Sequence, residues 1–256
     1  MDLEIDEMRR RGALALASAL ATGIVVSVGG LILPADAAAQ ANKGANEGET
    51  KAAGDAGEDV SATEDLMREH GVLRRTLIVY NELSNRVRNN AGHVDPAALA
   101  DAAQLFREFG EQYHERTLEE QYIFPEVRRA GGPNERLVEV LLVQHQRGRE
   151  ITDYISKVTR GGPLTAHADD LAKVLSAMAR MYHAHSAWED TIIFPAWKKT
   201  QSKTRLDELT EKFEEIEHQQ FGKDGFDDAV ERIARIEEAL GVADLDHYTA
   251  SSPPKI

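Results

Sequence analysis

No cysteine occurs in the 256 residues, and this absence removes disulfide frameworks, thiolate zinc sites, iron–sulfur clusters and cysteine nucleophiles together. Any metal held by the chain must sit on His, Asp, Glu or water. Positive charge is in deficit: 30 Lys and Arg stand against 44 Asp and Glu, a formal net charge of −14. Phosphate contacts need clustered Lys and Arg, so nucleic acid and anionic lipid headgroups are excluded as natural partners. Sustained alternation of period two is missing as well, which argues against a β-sheet frame. Hydrophobic residues, at 42% of this length, suffice for a real buried core.

What is present begins with an uncharged run, Gly12 to Pro34, which follows Arg9-Arg10-Arg11 and leads into Ala35-Asp36-Ala37-Ala38-Ala39. Residues 1–37 read as an export signal cleaved after Ala37 (or after Ala39), placing the mature chain in the periplasm or outside the cell. The arginine pair resembles a twin-arginine signal, although Ala13 stands where that signal carries a large apolar residue; it implies export machinery as a partner. A membrane anchor is the alternative, since residues 12–34 are long enough to span a bilayer. Residues 38–60 hold four Gly, seven Ala and a single large aliphatic residue, Val60. They are too poor in apolar surface to offset chain entropy and read as a disordered linker.

From Ser61 onward, long helical patterns are divided by turn signals. They cover about 61–90, opened by Ser61 or Thr63 with Glu64, then 96–129 after Asp95-Pro96, 134–159 between two Gly-Gly-Pro turns, and 165–199. Two shorter amphipathic stretches follow, about 203–219 and 226–240. The expected fold is all-α: an up-down-up-down four-helix bundle over residues 61–200, a helical extension over 201–242 packed on its side or end, and a tail over 243–256.

Each long pattern carries one apolar stripe, and each stripe runs into a histidine. The stripes are Leu66, His70, Leu73, Leu77, Tyr80; Leu99, Ala103, Phe106, Gly110, His114; Val138, Leu141, His145, Gly148, Thr152, Ile155; and Leu171, Leu175, Met178, Tyr182, His185, Glu189, Ile192. In the second, Glu119 and Ile123 continue the face only if one extra residue is absorbed, which predicts a π-type turn within 114–119. Buried carboxylates need positive partners, and the stripes supply none. Four imidazoles and two carboxylates are too many for one tetrahedral zinc and match two six-coordinate ions with positions left for a small ligand. An internal echo supports this: Glu119-Glu120-Gln-Tyr-Ile123-Phe124-Pro125 matches Glu189-Asp190-Thr-Ile-Ile193-Phe194-Pro195, each preceded by its histidine.

These residues resemble the hemerythrin-like (HHE) domain, over about residues 61–200. Arg68-Glu69-His70, Tyr113-His114-Glu115 with Glu119-Glu120, Gln144-His145-Gln146 and His185-Ser-Ala-Trp-Glu189-Asp190 carry the likeness. It implies a non-haem di-iron centre with oxo or hydroxo and carboxylate bridges, held by His70, His114, Glu119, His145, His185 and Glu189. The His114-to-Glu119 step is five where the pattern has four, which keeps Glu115 and Glu120 as alternatives to Glu119. Iron suits this donor set, with manganese or a mixed iron–zinc pair as alternatives. The implied function is to bind or react with dioxygen, nitric oxide or peroxide, as a carrier or sensor, as a reducing or iron-donating enzyme, or as a metal store.

Other residues read more blandly. His183 lies about 200° around its helix from His185 and reads as surface or supporting. His218 reads as solvent-facing or as a cover over the mouth of the site. His93, His167 and His247 fall in loop, helix-start and tail positions. Tyr113, Tyr122 and Trp188 read as core. Gly110 and Gly148 either ease helix packing or leave room for a small molecule.

Overall fold

The computed structural model describes residues 60–254; the export-signal and linker readings, apart from Val60, lie outside the described residues. Those described are helical with no strand, and none of their helices is long and apolar enough to cross a membrane.

Helix α1 spans Ala62–Asn90. Its start follows from Ser61, whose hydroxyl accepts the Glu64 N–H at 3.4 Å. The second rod is composite: α2 (Pro96–Leu105), a π-helical stretch (Phe106–Ile123) and α3 (Phe124–Ala130). Asp95 caps α2 by accepting the Ala97 N–H at 2.9 Å. Gly131 and Gly132, both at positive φ, end the rod where a side chain would be strained. Helix α4 spans Asn134–Arg160, and the fourth rod joins α5 (Ala168–Trp188), a π turn (Glu189–Ile193) and α6 (Phe194–Thr200).

Helix α1 packs along α5, and α2 along α4, so the four stripes face one another. Every residue of the first three stripes is buried. The fourth departs at its end: Ile193 is buried and Ile192 only partly so, because the π turn shifts the phase by one residue. Helices α7 (Lys203–Phe221) and α8 (Gly225–Leu240) close against the outside of these rods, α8 on α1 and α2. Arg75 donates to Glu237 at 2.9 Å, and Arg232 donates to Asp101 and Glu108, each at 2.6 Å. These links fix α8 to the rods that carry two of the histidines.

The widened turn expected within 114–119 is present but far longer, an 18-residue stretch. A second, at Glu189–Ile193, was not foreseen from spacing. Both lead into Ile-Phe-Pro, and in both the Phe N–H donates to the glutamate carbonyl five residues back, Phe124 to Glu119 and Phe194 to Glu189. Proline supplies the reason: it has no N–H, and its ring crowds the carbonyl four residues earlier, which favours the wider i→i+5 ladder just before it. Such a ladder also sets residues five apart one above the other, as His114 and Glu119 require.

Candidate metal centre

Of the nine histidines, His70, His114, His145 and His185 are buried, while His93, His167, His183, His218 and His247 are exposed. The four buried imidazoles turn their Nε2 atoms onto two carboxylates. Glu189 Oε2 lies 3.0 Å from His185 Nε2 and 3.4 Å from His70 Nε2. Glu119 Oε1 lies 3.4 Å from His114 Nε2, and Oε2 lies 3.2 Å from His145 Nε2. Two groups result whose ligand atoms fall within 4.8 Å of one another: Glu119, His145, His185 and Glu189, and His70, His114 and Glu119. Glu119 belongs to both.

Glu115 and Glu120 stand elsewhere. Glu115 accepts from the Tyr182 hydroxyl at 2.7 Å and from Arg149 at 3.2 Å, and Glu120 accepts from Arg149 at 2.5 Å. These two acids also group with His145, but there the Arg149 guanidinium already supplies the positive charge.

Four residues outside the six expected ligands hold the outer nitrogens, among them Glu120, which the sequence offered only as an alternative to Glu119. Glu69 lies 2.5 Å from His114 Nδ1, Glu120 2.9 Å from His145 Nδ1, Gln144 2.9 Å from His185 Nδ1, and Asp190 2.7 Å from His70 Nδ1. An acceptor at Nδ1 fixes the ring so that Nε2 presents its lone pair inward. The acceptors form a closed cycle: α1 holds the histidine of the second rod, the second rod that of α4, α4 that of α5, and the fourth rod that of α1. Each acceptor is the chain neighbour of an inner residue, in Glu69-His70, Glu119-Glu120, Gln144-His145 and Glu189-Asp190, and that pairing was the available signal. The echoed phenylalanines have a task as well: Phe194 stacks on His70 with centroids 5.3 Å apart, and Phe124 on His145 at 5.5 Å.

Burial alone would push the Glu189 carboxyl up, yet the flanking His185 and His70 hold it well below the usual range. For Glu119, burial and the nearby Glu189 charge push up, and His114 with His145 outweigh them. His114 and His145 are raised far above an ordinary imidazole despite burial, chiefly by Glu119 for the first and Glu115 for the second. Charge is thus compensated by opposite neighbours, but hydrogen bonding is not. Both oxygens of Glu119, both of Glu189 and His114 Nε2 are buried without a hydrogen-bond partner. Five orphaned ligand atoms, spread over the two groups that share Glu119, fit bound cations, because a buried polar atom left unpaired is costly.

Above the imidazoles lies a cavity of ≈ 10 Å³ lined by His70, His114, His185, Arg74, Glu115 and Tyr182 among others, about the room of one water-sized molecule. The two stripe glycines do not create it. A Cβ on Gly148 would collide with the Tyr182 hydroxyl, and one on Gly110 would lie 2.9 Å from Leu73 Cδ2, so both serve close packing. Tyr113 is core as expected, Tyr122 is half-buried against Phe213, and Trp188 is 50% exposed, correcting its reading as core.

The hemerythrin HHE cation-binding domain model matches residues 61–197. Relatives include the uncharacterized protein Rv1995 of Mycobacterium tuberculosis (strain ATCC 25618 / H37Rv) and the uncharacterized protein Mb2018 of Mycobacterium bovis (strain ATCC BAA-935 / AF2122/97). Each is 43% identical over 195 residues, covering 75% of this chain and 75% of the relative. No solved structure matches. A family match across more than half the chain, on the residues that build the His/Glu cluster, places this protein in the hemerythrin HHE cation-binding domain family.

Proposed function

We propose that His70, His114, Glu119, His145, His185 and Glu189 hold two iron ions, with Glu119 shared between them, on an up-down-up-down four-helix bundle. In this reading the pair binds or reacts with dioxygen, nitric oxide or peroxide, outside the cytoplasm after export through residues 1–37. The observation that carries it is the set of four buried carboxylate oxygens with no hydrogen bond, ringed by four inward imidazoles. Iron suits imidazole together with carboxylate, and when bound it supplies exchangeable coordination positions and one-electron chemistry. The chain's own part is to fix the rings through the outer acceptors, to exclude bulk water, and to leave a cavity of one-water size.

A second reading, an enzyme that reduces peroxide or nitric oxide, draws on one feature: the buried Tyr182 hydroxyl and the Glu115 carboxylate it donates to both line that cavity. Anaerobic reconstitution with Fe(II), followed by oxygen exposure with absorption monitored, tests these readings. A new visible band that disappears when oxygen is removed supports carriage. Irreversible oxidation with turnover of added peroxide supports the enzyme, and metal uptake with no spectral response reduces the role to storage.

A further inference from the structure

The internal echo extends beyond the ligands and breaks at one place. His70 is followed one turn later by Arg74, and His145 by Arg149. Arg149 reaches Glu120, the residue after Glu119, and Arg74 reaches Asp190, the residue after Glu189. Each arginine also reaches the residue after the next rod's histidine: Arg149 donates to Glu115 at 3.2 Å, and Arg74 Nε donates to Ser186 at 3.2 Å. One half therefore has two carboxylates on its arginine, the other a carboxylate and a neutral hydroxyl.

The two halves are sealed unequally. Arg149 is 14% exposed and is backed by Tyr182, whose hydroxyl fills the space left by Gly148. Arg74 is 36% exposed. Among the described residues it is also the one member of the cavity's lining that is not buried: His70, Leu73, Leu77, His114, Glu115, Tyr182, His185 and Ser186 all are. The way from solvent into the cavity therefore runs past the Arg74 guanidinium, which spans from α1 to Ser186 and Asp190 over the mouth.

We propose that Arg74 gates this cavity, so that a ligand of one or two heavy atoms enters it only when the guanidinium leaves Ser186 and Asp190. The assignment rests on the metal reading above and adds a kinetic property to it. A gate raises the barrier equally for arrival and departure and leaves affinity untouched.

The test uses the iron-loaded full chain with cyanide, a ligand of two heavy atoms, as the probe and stopped-flow absorption as the readout. Arg74→Ala is expected to raise association and dissociation rates together, about fivefold, the equivalent of about 1 kcal/mol for a partly exposed ion pair, with Kd unchanged. Ser186→Glu, which rebuilds the Arg149–Glu115 contact on this side, should slow both rates. Arg68→Ala, which removes an exposed arginine paired with Asp65 outside the cavity, should match the wild type. Unchanged rates in Arg74→Ala overturn the gate. A Kd shift through the off-rate alone also overturns it, since Arg74 would then act on His70 through Asp190. If the wild type takes up no iron, the metal reading fails and the gate is judged in the metal-free protein. There, NMR exchange of the Tyr182 hydroxyl proton, which lines the cavity, with solvent should speed up in Arg74→Ala, and an unchanged exchange rate rejects the gate.

Discussion

Glu69 and His114 sit on neighbouring rods, and the Glu69 carboxylate lies 2.5 Å from His114 Nδ1, while Glu69 is itself the residue before His70. One dipeptide thus serves two imidazoles, presenting His70 inward and steadying His114 from outside. Glu69→Gln keeps the shape and weakens the acceptor; Glu69→Ala removes it. Loss of such an outer partner typically costs about 10–100-fold in metal affinity. We expect Glu69→Ala in the upper part of that range and Glu69→Gln in the lower, read by competition against a chelator, with helicity unchanged in both.

Gly148 and Tyr182 form a size-matched pair. Gly148→Ala should push Tyr182 off Glu115 and cost about 1–3 kcal/mol, as overpacking does. Removing the hydroxyl relieves the tightest overlap, so Gly148→Ala with Tyr182→Phe should be more stable than the sum of the single changes predicts. Denaturant melts of the four proteins, arranged as a double-mutant cycle, measure this; strict additivity would mean that the two residues do not meet.

Much of this architecture is legible along the chain, because a core stripe repeats every three or four residues whether its members are leucines or ligands. All of the first three stripes, the caps at Ser61 and Asp95, and the six inner His and Glu positions could be read this way. The roles of Glu69, Glu120, Gln144 and Asp190 could not, since each is rotated about 100° from its stripe neighbour and reads as a motif flank or, for Glu120, as an alternative inner ligand. Their role depends on which rod lies alongside, which is tertiary information. The second π turn escaped because His185 and Glu189 are already four apart, and the change of phase falls after them. Trp188 shows the opposite limit: an aromatic beside a ligand suggests core, yet its rotation leaves it half in water.

Beyond the centre, Asp65 and Glu217 share a pocket near α7, and both acids are raised to about 7 from ordinary values of 3.8 and 4.5. Burial is the main cause for each, with the charge of Glu69 adding to it. An acid raised on folding contributes stability that is fully present below its unfolded pKa, near 4, and is lost as pH rises through about 7. The metal-free wild type should therefore lose stability relative to Glu217→Gln between about pH 4.5 and 7. Urea midpoints across that range test this; a difference that does not vary with pH would mean that Glu217 is ionised throughout.

The central claim, that the four imidazoles and two glutamates hold a pair of ions with Glu119 shared, is tested most directly by metal stoichiometry. Elemental analysis of the folded, iron-reconstituted chain should give about two ions per chain, falling toward one or fewer in Glu119→Gln, with His167→Ala unchanged at two. One ion per fully folded wild-type chain, or equal losses in Glu119→Gln and His167→Ala, would contradict it.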